Sequence, residues 1–130
     1  MSIVRQCLLV LFSIPLMSCS GGVKPATSLF PDSVAMWKLR QSSDLPASEV
    51  PEQIRRLGIR RAGTAEYQGA GALHVQVYEL TTDAGAMEVE QTWKPIADTV
   101  AFHKDTYFTV VHWENADKSA VAAFVRALEK

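Results

Sequence analysis

IRRAGTAEYQGAGALHVQVYEL, residues 59–80, reads as two strands joined by a glycine turn. In Leu73–Leu80 the residues Leu73, Val75 and Val77 fall on one face and His74, Gln76 and Tyr78 on the other. That period of two belongs to a strand. Ile59–Tyr67 suits a second strand, and Gln68-Gly69-Ala70-Gly71 between them is turn chemistry, so the pair is expected to form a hairpin.

The same reading extends downstream. Thr82 or Asp83 can cap a helix in which Ala86, Val89 and Trp93 share a face. Pro95 ends it, because a residue preceding proline disfavours the helical region. Thr99–Lys104 and Tyr107–Trp113 are expected to form a second hairpin turning at Asp105-Thr106. A last helix starts near Asn115 or Asp117, with Val121, Phe124, Val125 and Leu128 spaced i, i+3, i+4, i+7.

Upstream, Val50, Ile54 and Leu57 mark one face of a short helix from about Ser48 to Leu57, closed by Gly58. Leu29 to Leu39 reads as an extended lead-in with a short strand near Ala35–Arg40, and Gln41–Pro46 as a loop. The order is helix, then strand-strand-helix twice. An α+β fold follows, with an antiparallel sheet of about four strands and helices packed on one face.

The amino-terminal residues follow different rules. MSIVRQCLLVLFSIPLMSC, residues 1–19, places Arg5 before an apolar run from Cys7 to Met17. That run is too short to span a bilayer, which takes ~20 helical residues, and has the parts of a secretory signal. Leu16-Met17-Ser18-Cys19 resembles the lipobox of bacterial lipoprotein signal peptides. The resemblance implies cleavage after Ser18 and acylation of Cys19 by diacylglycerol and a fatty acid such as palmitate. Residues 1–18 are then the signal, 19–28 a flexible tether reaching only ~15 Å, and 29–130 one domain. The implied address is the bacterial cell envelope, on the periplasmic face of the outer membrane if the cell is Gram-negative, with Ser20 rather than Asp following the cysteine.

Removing the first 18 of 130 residues leaves 112, and Cys19, capped by lipid, is the last cysteine in them. Thiol catalysis and thiolate metal sites are thereby excluded from the folded part. With 13 Lys plus Arg against 14 Asp plus Glu, the chain is near neutral, which argues against a nucleic-acid binder.

The segments Leu57-Gly58-Ile59-Arg60, Ala65-Glu66-Tyr67, Val77-Tyr78-Glu79-Leu80 and Ala84-Gly85-Ala86-Met87 are similar to an uncharacterised group of bacterial secreted proteins. That group is a domain of unknown function, so the resemblance implies no catalytic residue.

No catalytic constellation stands out. His103-Lys104-Asp105 and His112-Trp113-Glu114 each carry an imidazole and a carboxylate, but a turn at Asp105-Thr106 puts the two histidines four rungs apart, ~13 Å. They cannot share an ion, and no metal or cofactor is expected. No serine has a nucleophile-elbow context. Gly69-Ala70-Gly71 and Gly85 lack phosphate-loop spacing.

Two surfaces remain as candidates. Arg55, Arg56, Arg60 and Arg61 flank Gly58 and suit an anionic contact, or a solvated face balanced by Glu49, Glu52 and Glu66. His74, Gln76 and Tyr78 share a strand face that suits a partner, or a half-covered sheet. The expected role is a non-catalytic interaction or accessory module, membrane-bound through Cys19, with an envelope protein as partner. The alternative is a carrier of a small apolar ligand between sheet and helices.

Overall fold

The computed structural model describes residues 29–130. The signal, the tether and Cys19 lie outside the described residues. The elements are β1 (Ser33–Val34), β2 (Trp37–Asp44), a single 3-10 turn (Ala47–Glu49), α1 (Glu52–Arg55), β3 (Ile59–Gly69), β4 (Gly71–Leu80), α2 (Asp83–Thr92), β5 (Thr99–Lys104), β6 (Tyr107–Glu114) and α3 (Lys118–Glu129). All strands join one antiparallel sheet in the order β1-β2-β3-β4-β6-β5.

The fold is α+β as expected, but the sheet has six strands rather than about four. The added width lies upstream, where β1 and β2 form a small hairpin and β2 runs through the expected loop to Asp44. Gln41, Ser42 and Ser43 have little intrinsic strand preference. Their strand is imposed by pairing, Gln41 against Glu66, Ser42 against Ala65 and Ser43 against Thr64.

The helix expected from Ser48 to Leu57 is broken. Pro51 holds Val50 extended at φ −73°, ψ 130°, so only a 3-10 turn and a four-residue helix form. The apolar spacing still has its use, since Val50 and Ile54 are both buried.

The second half follows the sequence closely. Thr82 caps α2 by accepting from the Gly85 amide at 3.0 Å, and Asp117 caps α3 by accepting from Ala120 at 3.2 Å. Asp105 adopts φ +54° in the β5–β6 turn, a conformation Asp tolerates. The hairpin register is the expected one, His103 opposite Phe108 and Thr99 opposite His112.

The helices do not pack on one face. Leu73, Val75 and Val77 of β4 meet Val121 and Phe124 of α3 in one core. Tyr78 and Leu80 of the same strand meet Ile54 of α1 and Ala86 and Val89 of α2 in another, across the sheet. The two strand-strand-helix units therefore turn opposite ways. Alternation along β4 reveals two faces, but whether a helix covers the second depends on the crossover after Leu80.

The first core is organised around aromatic rings. Trp37 is fully buried, donates from Nε1 to the Ala120 carbonyl at 3.0 Å, and meets Phe124 edge-on at 6.4 Å. Tyr67 stands edge-on to Phe124 at 5.0 Å and donates its hydroxyl to the Pro31 carbonyl at 2.7 Å. Burial, with Asp32 nearby, pushes the Tyr67 hydroxyl well above its ordinary pKa and keeps it a donor. No helix among the described residues is long and apolar enough to cross a membrane.

Candidate functional site

Helices α1 and α2 cover only one end of their face of the sheet. Toward Leu80, Ala62, Tyr78, Phe108 and Val110 are buried beneath them. Toward Gly71 the same face carries Glu66, Gln68, Ala72 and His74, all exposed. A groove of about 590 Å³ lies over this bare end, lined by side chains of Arg40, Gln41, Glu66, Gln68, His74 and Glu114 among others.

A single rung crosses its floor. Gln41, Glu66, His74, His112 and Thr99 are consecutive cross-strand partners on β2, β3, β4, β6 and β5. Directly opposed residues of antiparallel strands share a face, with Cβ atoms about 4.5–5.5 Å apart. The next rung toward α2 is Ser43, Thr64, Gln76, Val110 and Ala101, where the surface passes from polar to buried.

Backbone irregularity shapes the groove wall. Arg40 is an extra residue in β2, since the register slips between Leu39 and Gln41. Such bulges re-aim a side chain. Here Nη1 of Arg40 donates to Gln68 Oε1 at 2.8 Å.

His112 is held by two linked contacts. The Thr99 hydroxyl donates to the Ala97 carbonyl at 3.1 Å and lies 3.2 Å from His112 Nδ1. A hydroxyl has one hydrogen, so with that hydrogen on Ala97 the Nδ1–H of His112 donates to Thr99. The lone pair of the neutral ring then resides on Nε2, 3.9 Å from Glu114 Oε1.

The surface residues singled out from sequence separate here. His74 and Gln76 border the bare face, whereas Tyr78 is 2% exposed and packs on Phe108 at 6.3 Å. Tyr78 is thus a core residue and no contact for a partner, because α2 covers its end of the face. Its hydroxyl donates to Gln76 Oε1 at 3.3 Å, and burial raises its pKa. Glu66, His112 and Arg40 were not grouped with His74 by spacing, since strand pairing alone brings them together.

The arginines also divide. Arg55, Arg56 and Arg60 are exposed around Gly58, where the chain turns at φ +92°. Arg61 points to the α3 face, with Nε 3.6 Å from Glu79 Oε1. Glu66, considered above as a balancing charge, instead stands opposite His74. His103 pairs with Glu90 of α2, remote from His112. Among the described residues no three His, Cys, Asp or Glu side chains converge closely enough to hold a metal ion.

A second hollow lies on the α3 face. It is a half-open hollow of about 290 Å³ between the sheet and the end of α3, against Phe30, Val77, Phe102, Phe124 and Leu128. Arg61, Lys104, Tyr107 and Thr109 also line it. Gly63 lets Phe30 lie on the sheet, for a Cβ there would sit 2.9 Å from its ring.

No family model matches this chain, and no curated protein or solved structure matches it either.

Proposed function

We propose that the chain is a lipid-anchored envelope lipoprotein whose α+β domain is a non-catalytic interaction module. In this reading residues 1–18 are a cleaved signal, Cys19 carries the lipid, and 19–28 tether the domain close to the membrane. In a Gram-negative cell that surface is the periplasmic face of the outer membrane. The Leu16-Met17-Ser18-Cys19 box supports the anchor. Two or three acyl chains suffice for stable residence where one is marginal.

The observation that carries the interaction role is the bare polar groove. Its rung of Gln41, Glu66, His74, His112 and Thr99 offers donors and acceptors at the spacing of paired strands on a five-strand floor. Another envelope protein is the partner this surface suits, one presenting a polar, hydrogen-bonding face. The exposed Arg55, Arg56 and Arg60 provide a second contact for anionic headgroups beside the anchor, each contributing about 1 kcal/mol at an anionic surface.

The test has two parts. Cys19→Ala should move the protein from the membrane to the soluble fraction; unchanged fractionation would overturn the anchor. A photo-crosslinker at Gln68 in the groove should capture one defined envelope protein, and Glu66→Lys should abolish that capture. Equal capture from a crosslinker at Met87, which is exposed on α2 outside the groove, would refute the surface assignment.

The carrier reading has its own support in the hollow beneath α3. A fluorescent apolar probe should bind there and be weakened at least tenfold by Val77→Phe, a change that fills the hollow. Binding unaffected by Val77→Phe would dismiss it.

A further inference from the structure

The groove contains a pair of imidazoles that no sequence spacing announces. His74 and His112 are direct cross-strand partners on β4 and β6. Both line the groove, His74 exposed and His112 partly so. With Cβ atoms about 4.5–5.5 Å apart, two imidazoles can turn toward a common point in front of the sheet. A zinc–nitrogen bond of about 2.0–2.1 Å from each ring is then within reach.

When the Thr99 hydroxyl donates to the Ala97 carbonyl, the Nδ1–H of His112 is the donor to Thr99 and the Nε2 lone pair is left for a ligand. A histidine that binds a metal almost always donates its other ring N–H to such an acceptor, which fixes the ring and raises its basicity. His112 has that arrangement before any ion arrives. His103 differs in its cross-strand partner, which is Phe108 rather than a second imidazole.

Glu66 stands opposite His74, and Glu114 Oε1 lies 3.9 Å from His112 Nε2, so two carboxylates flank the pair. Among the described residues the one Lys or Arg that lines the groove, Arg40, is hydrogen-bonded to Gln68.

We infer that His74 and His112 form a two-imidazole site for a borderline divalent transition ion, of the class of zinc or nickel, with Thr99 as the positioning residue for His112. Because no third ligand converges among the described residues, this is an open site whose remaining positions are taken by water or by a swing of Glu66 or Glu114. Imidazole ligation selects such ions over magnesium and calcium, which prefer oxygen. The inference does not require a protein partner, so its failure and that of the docking role are separable.

Calorimetric titration of the whole chain with Zn²⁺ and Ni²⁺ at neutral pH tests it, with Mg²⁺ as comparison. Saturable binding of one ion is expected, weakened at least tenfold by His74→Ala or by His112→Ala. Thr99→Val, which removes only the relay, should weaken it about tenfold, at the low end of what loss of an outer-shell partner costs. His103→Ala should leave it unchanged. In nuclear magnetic resonance spectra of the unaltered chain, Zn²⁺ should shift the ring signals of His74 and His112 and spare those of His103. This measurement holds even if a variant folds poorly. Absence of saturable binding, affinity indifferent to both groove histidines, or shifts centred on His103 would each overturn the assignment.

Discussion

Trp37→Ala is expected to destabilise the domain by about 3–5 kcal/mol, the range for removing a large buried aromatic side chain. For a domain near 100 residues each kcal/mol corresponds to about 4–8 °C in Tm, so a loss exceeding about 12 °C should follow. Three features make this position costly. The ring is 0% exposed at the start of β2, its Nε1 is tied to Ala120 of α3, and it stands edge-on to Phe124. Removing it detaches the upstream hairpin from the helix that covers the sheet. Urea denaturation followed by circular dichroism measures the effect. A Trp37→Ala, Phe124→Ala double-mutant cycle should be clearly non-additive, as for residues in direct contact. A loss below about 1 kcal/mol would contradict this account of the first core.

Gly71→Ala is expected to be the most damaging single-methyl addition among the turn glycines. Gly71 has φ +125°, and strain of this kind in a side-chain-bearing residue costs about 1–3 kcal/mol. A Cβ there would also lie 2.6 Å from both Ala116 Cα and Asn115 O. These are backbone atoms in the segment leading into α3, whose Asp117 amide donates to the Ala70 carbonyl at 3.1 Å. Relief therefore requires moving the junction between the β3–β4 turn and α3. Gly58→Ala provides the contrast. Its φ of +92° is also unfavourable, but the closest atom is the Thr81 hydroxyl, which can rotate away. Chemical denaturation should rank Gly71→Ala below Gly58→Ala in stability. The reverse order would show that the turn, not the α3 junction, sets the cost.

Both sites bear on how the groove is kept open. The first core locks β2 against β3 and α3, and the β3–β4 turn fixes where β4 begins. Those constraints hold Gln41, Glu66 and His74 in register. Either substitution should thus disturb the groove as well as lower global stability. The groove variants above should act locally, with little change in unfolding free energy.

Local pattern identified the two hairpins and the β5–β6 register and narrowed each cap of α2 and α3 to two residues, because each depends on neighbours a few residues apart. Period-two alternation separated Leu73, Val75 and Val77 from His74, Gln76 and Tyr78 correctly. It could not say which of the latter are covered, since Tyr78 is buried only where α2 returns over the sheet. Likewise the helical spacing of Val50, Ile54 and Leu57 marked two buried positions and one partly buried, but outweighed Pro51, which interrupts the helix.

The amino-acid sequence by itself determined the α+β class, the alternating faces and the lipobox resemblance. Each is written in runs of adjacent residues, where backbone geometry and short-range hydrogen bonding set the pattern. Tertiary structure alone decided the six-strand width, the helices on opposite faces and the rung that sets Glu66, His74 and His112 side by side. The reason is that strand order and register are fixed by which apolar faces can be buried together. That choice joins residues far apart in the chain, and no local spacing encodes it.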